Sequence, residues 1–384
     1  MLRVMAAAAF IYELPPVTTL RLVEDEPSAT LDDAEALVAA SRFDDAVEHL
    51  EDLWDDVRDH PVLALRHQLA LAWAEMYRGN LDEAEAVLAH AQRLARSARF
   101  DSSQRAEVLY RQGCVALKRS YVAEATELFT RALDANGRAP VPRTLLAAHA
   151  HEWRSRCHQA LRDWDAAARD ADRALQLAVE ARDELSQAHA LFQVSLVAER
   201  RRDWLTARRA AQRALELYRK YGDGLSTARI LNNLGGIDFL LGDPETAEAH
   251  LLVAAETAAR IGSDADLAQA VNSLAQVYLR TGHPAEARAR ARRAIELLAT
   301  RDDFRDELGN AQLVVAGSLA AQGDIPGACT WIDAAEQTFA AIGSTSHLAN
   351  AWIARGDAVR TAGDPDTAAH WYRRAAQALA DVHF

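Results

Sequence analysis

Alanine recurs along this chain at Ala46, Ala84, Ala125, Ala167, Ala207, Ala247, Ala287, Ala328 and Ala368, in steps of 38–42 residues. Seven positions after each of these from the second onward stands another: Ala91, Ala132, Ala174, Ala214, Ala254, Ala294, Ala335 and Ala375. With an apolar residue between them, as in Ala247, Leu251 and Ala254, this spacing places small side chains on one face of a helix. A turn precedes most of the first alanines: Arg78-Gly79-Asn80, Arg162-Asp163, Arg202-Asp203, Leu241-Gly242-Asp243-Pro244, Thr281-Gly282-His283-Pro284, Gln322-Gly323-Asp324 and Ala362-Gly363-Asp364-Pro365. Glycine ends one helix in the left-handed conformation, Asp, Asn or His caps the next, and proline fits its first turn. So short a turn makes the two helices antiparallel. The pattern predicts an all-α array of about nine helix-turn-helix units with a period of ~40 residues. An extension at 1–29 precedes an array over 30–384, with units near 30–60, 61–99, 102–138, 142–182, 185–221, 225–262, 266–301, 305–343 and 346–384.

Within this frame, Leu231-Asn232-Asn233-Leu234-Gly235 ahead of Leu241-Gly242-Asp243-Pro244-Glu245-Thr246-Ala247 resembles the tetratricopeptide repeat, or TPR. Gly356 ahead of Ala368 and Gly113 ahead of Ala125 fit the same register. Ser155 and Ser195 replace the glycine of the first helix, Arg154 and Arg355 replace its leucine, and the period exceeds the usual 34. The resemblance covers roughly residues 30–384 and implies a right-handed superhelical TPR solenoid, with the first helix of each pair lining a concave groove.

Composition agrees with closely packed helices: half the residues are hydrophobic, yet only 7% are aromatic. The formal charge of −13 is uneven, because fourteen acids between Glu24 and Asp59 face only Arg42 and Arg58. The remainder is nearly neutral and lacks the Lys/Arg excess that phosphate backbones demand, so nucleic-acid binding by this chain alone is not expected. Cys114, Cys157 and Cys329 are scattered and read as reduced, buried thiols. The run Val4–Tyr12 after Arg3 looks like a weak signal peptide, but Glu13 and Pro15-Pro16 follow at once. No stretch is long and apolar enough for a membrane span, and a cytoplasmic protein is expected.

No constellation for catalysis is legible, so no enzymatic activity, cofactor or metal is expected. His149, His151, Glu152 and His158 form the densest polar cluster, but Ser155 stands where a zinc-binding His-Glu-x-x-His helix needs its second histidine. The arginine runs at Arg200–Arg202 and Arg288–Arg293 read as solvated outer faces, with a partner-docking patch as the alternative. The groove is more informative. Counting back from each packing alanine gives a first row of His189, Arg229, Gln269 and Asn310 and a second of Phe192, Asn232 and Asn272. Gln276 follows a turn later, and Gln193 and Asn233 stand beside the second row. These ten residues are the candidate ligand contacts. Amides both donate and accept, as an extended peptide backbone does, and Gly235, Gly236 and Gly317 are expected to let a ligand approach closely.

Phrases such as Leu231–Gly236 and Ser273–Gly282 further resemble the C-terminal sensor array of bacterial helix-turn-helix (XRE-type) TPR transcriptional regulators. That resemblance implies a groove that captures a peptide or small signal and relays it by a change of superhelix. Met1–Asp25 is too short for the DNA-binding head, which leaves two readings: a truncated or separately encoded sensor, or a stand-alone scaffold or co-chaperone. Trp371, Tyr372 and Phe384 lie by the last helix, where they either fold back on the preceding repeat or pair two copies as a homodimer.

Overall fold

A computed structural model describes residues 26–40, 42–97 and 99–380. The signal-peptide-like run, Pro15-Pro16, most of the 1–29 extension and Phe384 lie outside them. Every regular element among the described residues is helical: eighteen α-helices and one short 3-10 turn at Asp302–Phe304. None is long and apolar enough to cross a membrane.

The chain forms two compact units, Met1–Val197 and Ala198–Phe384. The first contains α1 (Glu26–Ala39), α2 (Phe43–Val57), α3 (Pro61–Arg78), α4 (Leu81–Ala95), α5 (Ser102–Lys118), α6 (Val122–Gly137), α7 (Thr144–Ala160), α8 (Trp164–Glu180) and most of α9 (Glu184–Arg200). The second contains α10 (Trp204–Tyr221), α11 (Gly224–Leu240), α12 (Pro244–Arg260), α13 (Asp264–Arg280), α14 (Pro284–Leu298), α15 (Arg305–Ala321), α16 (Ile325–Ala341), α17 (Thr345–Thr361) and α18 (Pro365–Ala380).

The alanine register is the packing register. All nine first alanines and all eight second alanines are at most 1% exposed. Twelve residues before the first alanine a small residue lets the paired helices close. A Cβ on Gly235 would stand 2.5 Å from Leu251 and 3.2 Å from the Ala247 carbonyl, and one on Gly113 would strike the Phe129 ring. Serine at this place is accommodated by a bond: Ser155 Oγ donates to the carbonyl of Ala167, the packing alanine of its own repeat, at 2.8 Å.

Turn chemistry follows expectation with two corrections. Asp163, Asp203, Asp223, Asp243 and Asp324 each accept the backbone N–H three residues on. Asn80 and His283 cap nothing, because Asn80 instead donates to Glu75 and His283 meets Thr281. Gly242, Gly282, Gly323 and Gly363 take φ between +84° and +87° between paired helices, but Ser120, Arg162 and Arg202 hold the same corner with φ of +61° to +64°.

Within each unit, successive first helices touch one another: α1, α3, α5 and α7 in one, α11, α13, α15 and α17 in the other. The second helices make no comparable contacts among themselves. Two layers of equal repeat number can differ this way only if the even layer is splayed and the odd layer lies on the inside of the curve. The odd helices therefore carry each unit's inner face.

Candidate ligand-binding surface

In the second unit the inner face is built from α11, α13, α15 and α17. On α11, Arg229 is locked to Asp266 of α13, Nε to Oδ1 at 2.7 Å and Nη2 to Oδ2 at 3.2 Å, so it ties two repeats together. Asn233 is buried and donates to Glu199 Oε2 at 2.8 Å. Asn232 is half-buried, and its Oδ1 is sealed from solvent without a donor. On α13, forty residues on, Asn272 stands at the place of Asn232: it is 1% exposed, it lies beside the Glu307 carboxyl, and its Oδ1 has no donor. Gln269 is buried beside it, while Gln276 and Asn310 are half-buried.

An amide oxygen withdrawn from water without a partner costs roughly 1–3 kcal/mol, and two at the same repeat position are a directed feature. Burial raises the Glu199 carboxyl, partly offset by the nearby Arg200 charge and the Asn233 bond. Burial and the neighbouring Asp306 charge push Glu307 up to about 8. Both acids were missed in the sequence. The detectable signal was positional, since Glu307 occupies the place in its repeat that Asp266 occupies in the one before.

The other three candidates belong to the first unit. His189 and Phe192 are buried, and burial holds the histidine well below its ordinary pKa, hence neutral. Gln193 is 1% exposed; its carbonyl accepts from Gln159 at 3.0 Å, and its Nε2 is buried without an acceptor. Around them the inner face is ionic and aromatic. Arg66 grips Asp32 and Glu35, Glu107 accepts from Arg111 and Arg143, and Arg156 pairs with Glu152. Arg111 also lies 4.3 Å over the Trp73 ring.

The histidine-rich cluster divides, with His151 and His158 both on Asp170, at 2.7 and 3.5 Å, and His149 and Glu152 held elsewhere. His151 and Arg154 both bind Asp170, His149 bonds Ser186 at 2.9 Å, and Glu152 takes Arg156. Arg154 and Arg355, standing where the repeat wants leucine, pair with Asp170 and with Asp333 and Glu336. The glycine expectation needs correction. Gly235 and Gly317 serve packing against Leu251 and Leu279, and only Gly236 faces open space. At the last helix Tyr372 folds back, its hydroxyl donating to Asp357 at 2.8 Å and its ring closing on Gly356.

This architecture is a tetratricopeptide-type helical solenoid. Residues 221–300 match the tetratricopeptide repeat family. No curated protein sequence matches the chain. Among solved structures it is similar to a Rap protein complexed with Competence and Sporulation Factor, at 17% identity and a TM-score of 0.68, covering 93% of this chain and 98% of that one. It is similar to the apo form of the quorum sensor NprR from B. thuringiensis, at 12% identity and a TM-score of 0.67, covering 93% and 100%. A third is the Rap conjugation gene regulator of plasmid pLS20 in complex with the Phr* peptide, at 13% identity and a TM-score of 0.57, covering 93% and 95%.

Proposed function

We propose that the chain is a non-enzymatic signal sensor whose second unit captures an extended peptide along α11, α13 and α15. The carrying observation is the pair of donor-less amide oxygens, Asn232 Oδ1 and Asn272 Oδ1, on adjacent inner helices at one repeat position; both are covered in this arrangement, so a ligand N–H reaches them only as α11 and α13 shift apart. Main-chain N–H groups are what an extended chain supplies to such oxygens. Packed helices lie about 8–10 Å apart, the reach of about three extended residues, so each repeat would read about three ligand residues. Gln276 and Asn310, half-buried on the same face, add contacts that adapt to either polarity. The fold-level neighbours include a quorum sensor and a regulator in complex with a peptide, which favours this reading over a general scaffold.

A ligand bonded to α11 and α13 together draws those helices toward one arrangement, and that repacking is the means of passing occupancy to a partner of transcriptional control. The test is capture from a synthetic heptapeptide library by the intact protein and by Asn232→Ala/Asn272→Ala. Each lost bond is worth about 0.5–1.5 kcal/mol, so the double variant should bind captured sequences about 5- to 150-fold more weakly. Equal capture by a variant with an unchanged melting temperature rejects the reading.

A further inference from the structure

The guanidiniums on the inner face of the first unit are unequally provided with acids. Arg66 has Asp32 and Glu35, and Arg156 has Glu152. Among the described residues, Arg111 of α5 and Arg143 at the entry to α7 share a single ion-pair partner, Glu107. Arg111 Nη2 donates to one carboxylate oxygen at 3.1 Å and Arg143 Nη1 to the other. Burial pushes the Glu107 carboxyl up, but the two guanidiniums outweigh it and hold the group below its ordinary range. The trio therefore carries two positive charges against one negative.

Arg111 is also short of acceptors. It is 4% exposed, and its Nε and Nη1 are sealed from solvent with no hydrogen-bond partner. Its guanidinium lies 4.3 Å from the centre of the Trp73 ring of α3, and the indole Nε1 is sealed in the same way. A ring face attracts a cation but returns no acceptor for the N–H bonds given up to burial. The unpartnered oxygen of Gln112, the next residue, is neutral and supplies no counter-charge.

Arg143 is set in place from behind. Asn136, buried near the end of α6, accepts the Arg143 backbone N–H at 3.0 Å and donates to its carbonyl at 3.1 Å. The backbone is pinned, while the side chain is 39% exposed and reaches inward to Glu107. Glu107 and Arg111 beneath it are 10% and 5% exposed. One guanidinium thus stands at the surface and a second lies under it with donors to spare.

We infer that Arg111 and Arg143, with the Trp73 indole N–H, form an anion subsite that receives a carboxylate, carried by a small organic acid or by a peptide C-terminus. The donors of Arg111 are covered in this arrangement, so the ligand enters as the Arg143 side chain turns from Glu107 to meet it. The planar fork of a guanidinium matches the two oxygens of a carboxylate, which a neutral amide offers only in part. The subsite belongs to the other unit from the proposed peptide surface and stands or falls independently of it.

The probes are N-acetylglycine and its neutral analogue N-acetylglycinamide, titrated by NMR into the full chain at pH 7.5 and constant ionic strength. The wild type should bind the acid at least about tenfold more tightly than the amide. Arg143→Gln and Arg111→Gln should each erase that difference, Asn136→Ala should reduce it, and Asn272→Ala in the second unit should keep it. Arg143→Gln alters a half-exposed side chain and so guards against a folding defect in the buried Arg111 variant. Propionate binding as tightly as N-acetylglycine supports a site for small acids, and weaker propionate binding supports one for a peptide terminus. Equal affinities for acid and amide in the wild type, no binding of either, or a preference that survives in both arginine variants overturns the subsite. Inorganic phosphate binding more tightly than N-acetylglycine overturns the carboxylate assignment.

Discussion

The inner faces of the two units are made from the same helix position and differ in chemistry. In Met1–Val197 the inner helices are laced by ion pairs such as Arg66–Glu35 and Glu107–Arg143 and by the stack of Arg111 on Trp73. That face leaves buried donors of Arg111 and the Trp73 indole, and the Gln112 amide oxygen, without partners. In Ala198–Phe384 the corresponding face carries amides and acids, and it leaves acceptors unused on Asn232 and Asn272. A repeat scaffold asks only that small residues meet at fixed points. The inner positions are free to hold the fold together in one stretch and to await a ligand in another.

Four variants sharpen that contrast. The largest effect is expected from Glu107→Ala, which strips buried Arg111 of its acid and should cost about 3–5 kcal/mol. Read by thermal unfolding, it should leave peptide capture by the other unit unchanged in the folded fraction. Glu307→Gln should act in the opposite sense. A carboxyl raised to about 8 contributes stability that is full below its unfolded value of 4.5 and is lost as pH rises through the folded one. Replacing it with the neutral amide should therefore flatten the decline between about pH 4.5 and 8, a gain of about 3–5 kcal/mol at the upper end. A variant as pH-sensitive as its parent would show that Glu307 is not the buried acid described. Smallest is Arg162→Gly in the first unit, which relieves a left-handed non-glycine corner and should add about 0.5–1 kcal/mol. Gly242→Ala, at the matching corner of the second unit, should lose a similar amount.

The fold was legible because its determinants are local and periodic. Ala247, Ala287 and Gly235 are specified by what fits at a helix contact, and that need recurs every ~40 residues. The surface was legible only as a row. The register placed Asn232, Asn272 and Gln269 together on inner helices, but it carried no information on bonds across helices. Thus Arg229 read as a free contact although Asp266 holds it, and Gly317 read as an opening although Leu279 from a neighbouring repeat fills the space. Asn80 and His283 failed as caps for the same reason: each found a partner, Glu75 and Thr281, that competes with its own helix N-terminus.

The measurement closest to the central claim is an N-methyl scan of a captured peptide against the wild type and Asn232→Ala/Asn272→Ala. Methylating the main-chain nitrogens that meet the two amide oxygens should weaken wild-type binding about tenfold each and should cost nothing further in the double variant. Losses of equal size in both proteins would mean that those oxygens do not receive the ligand backbone.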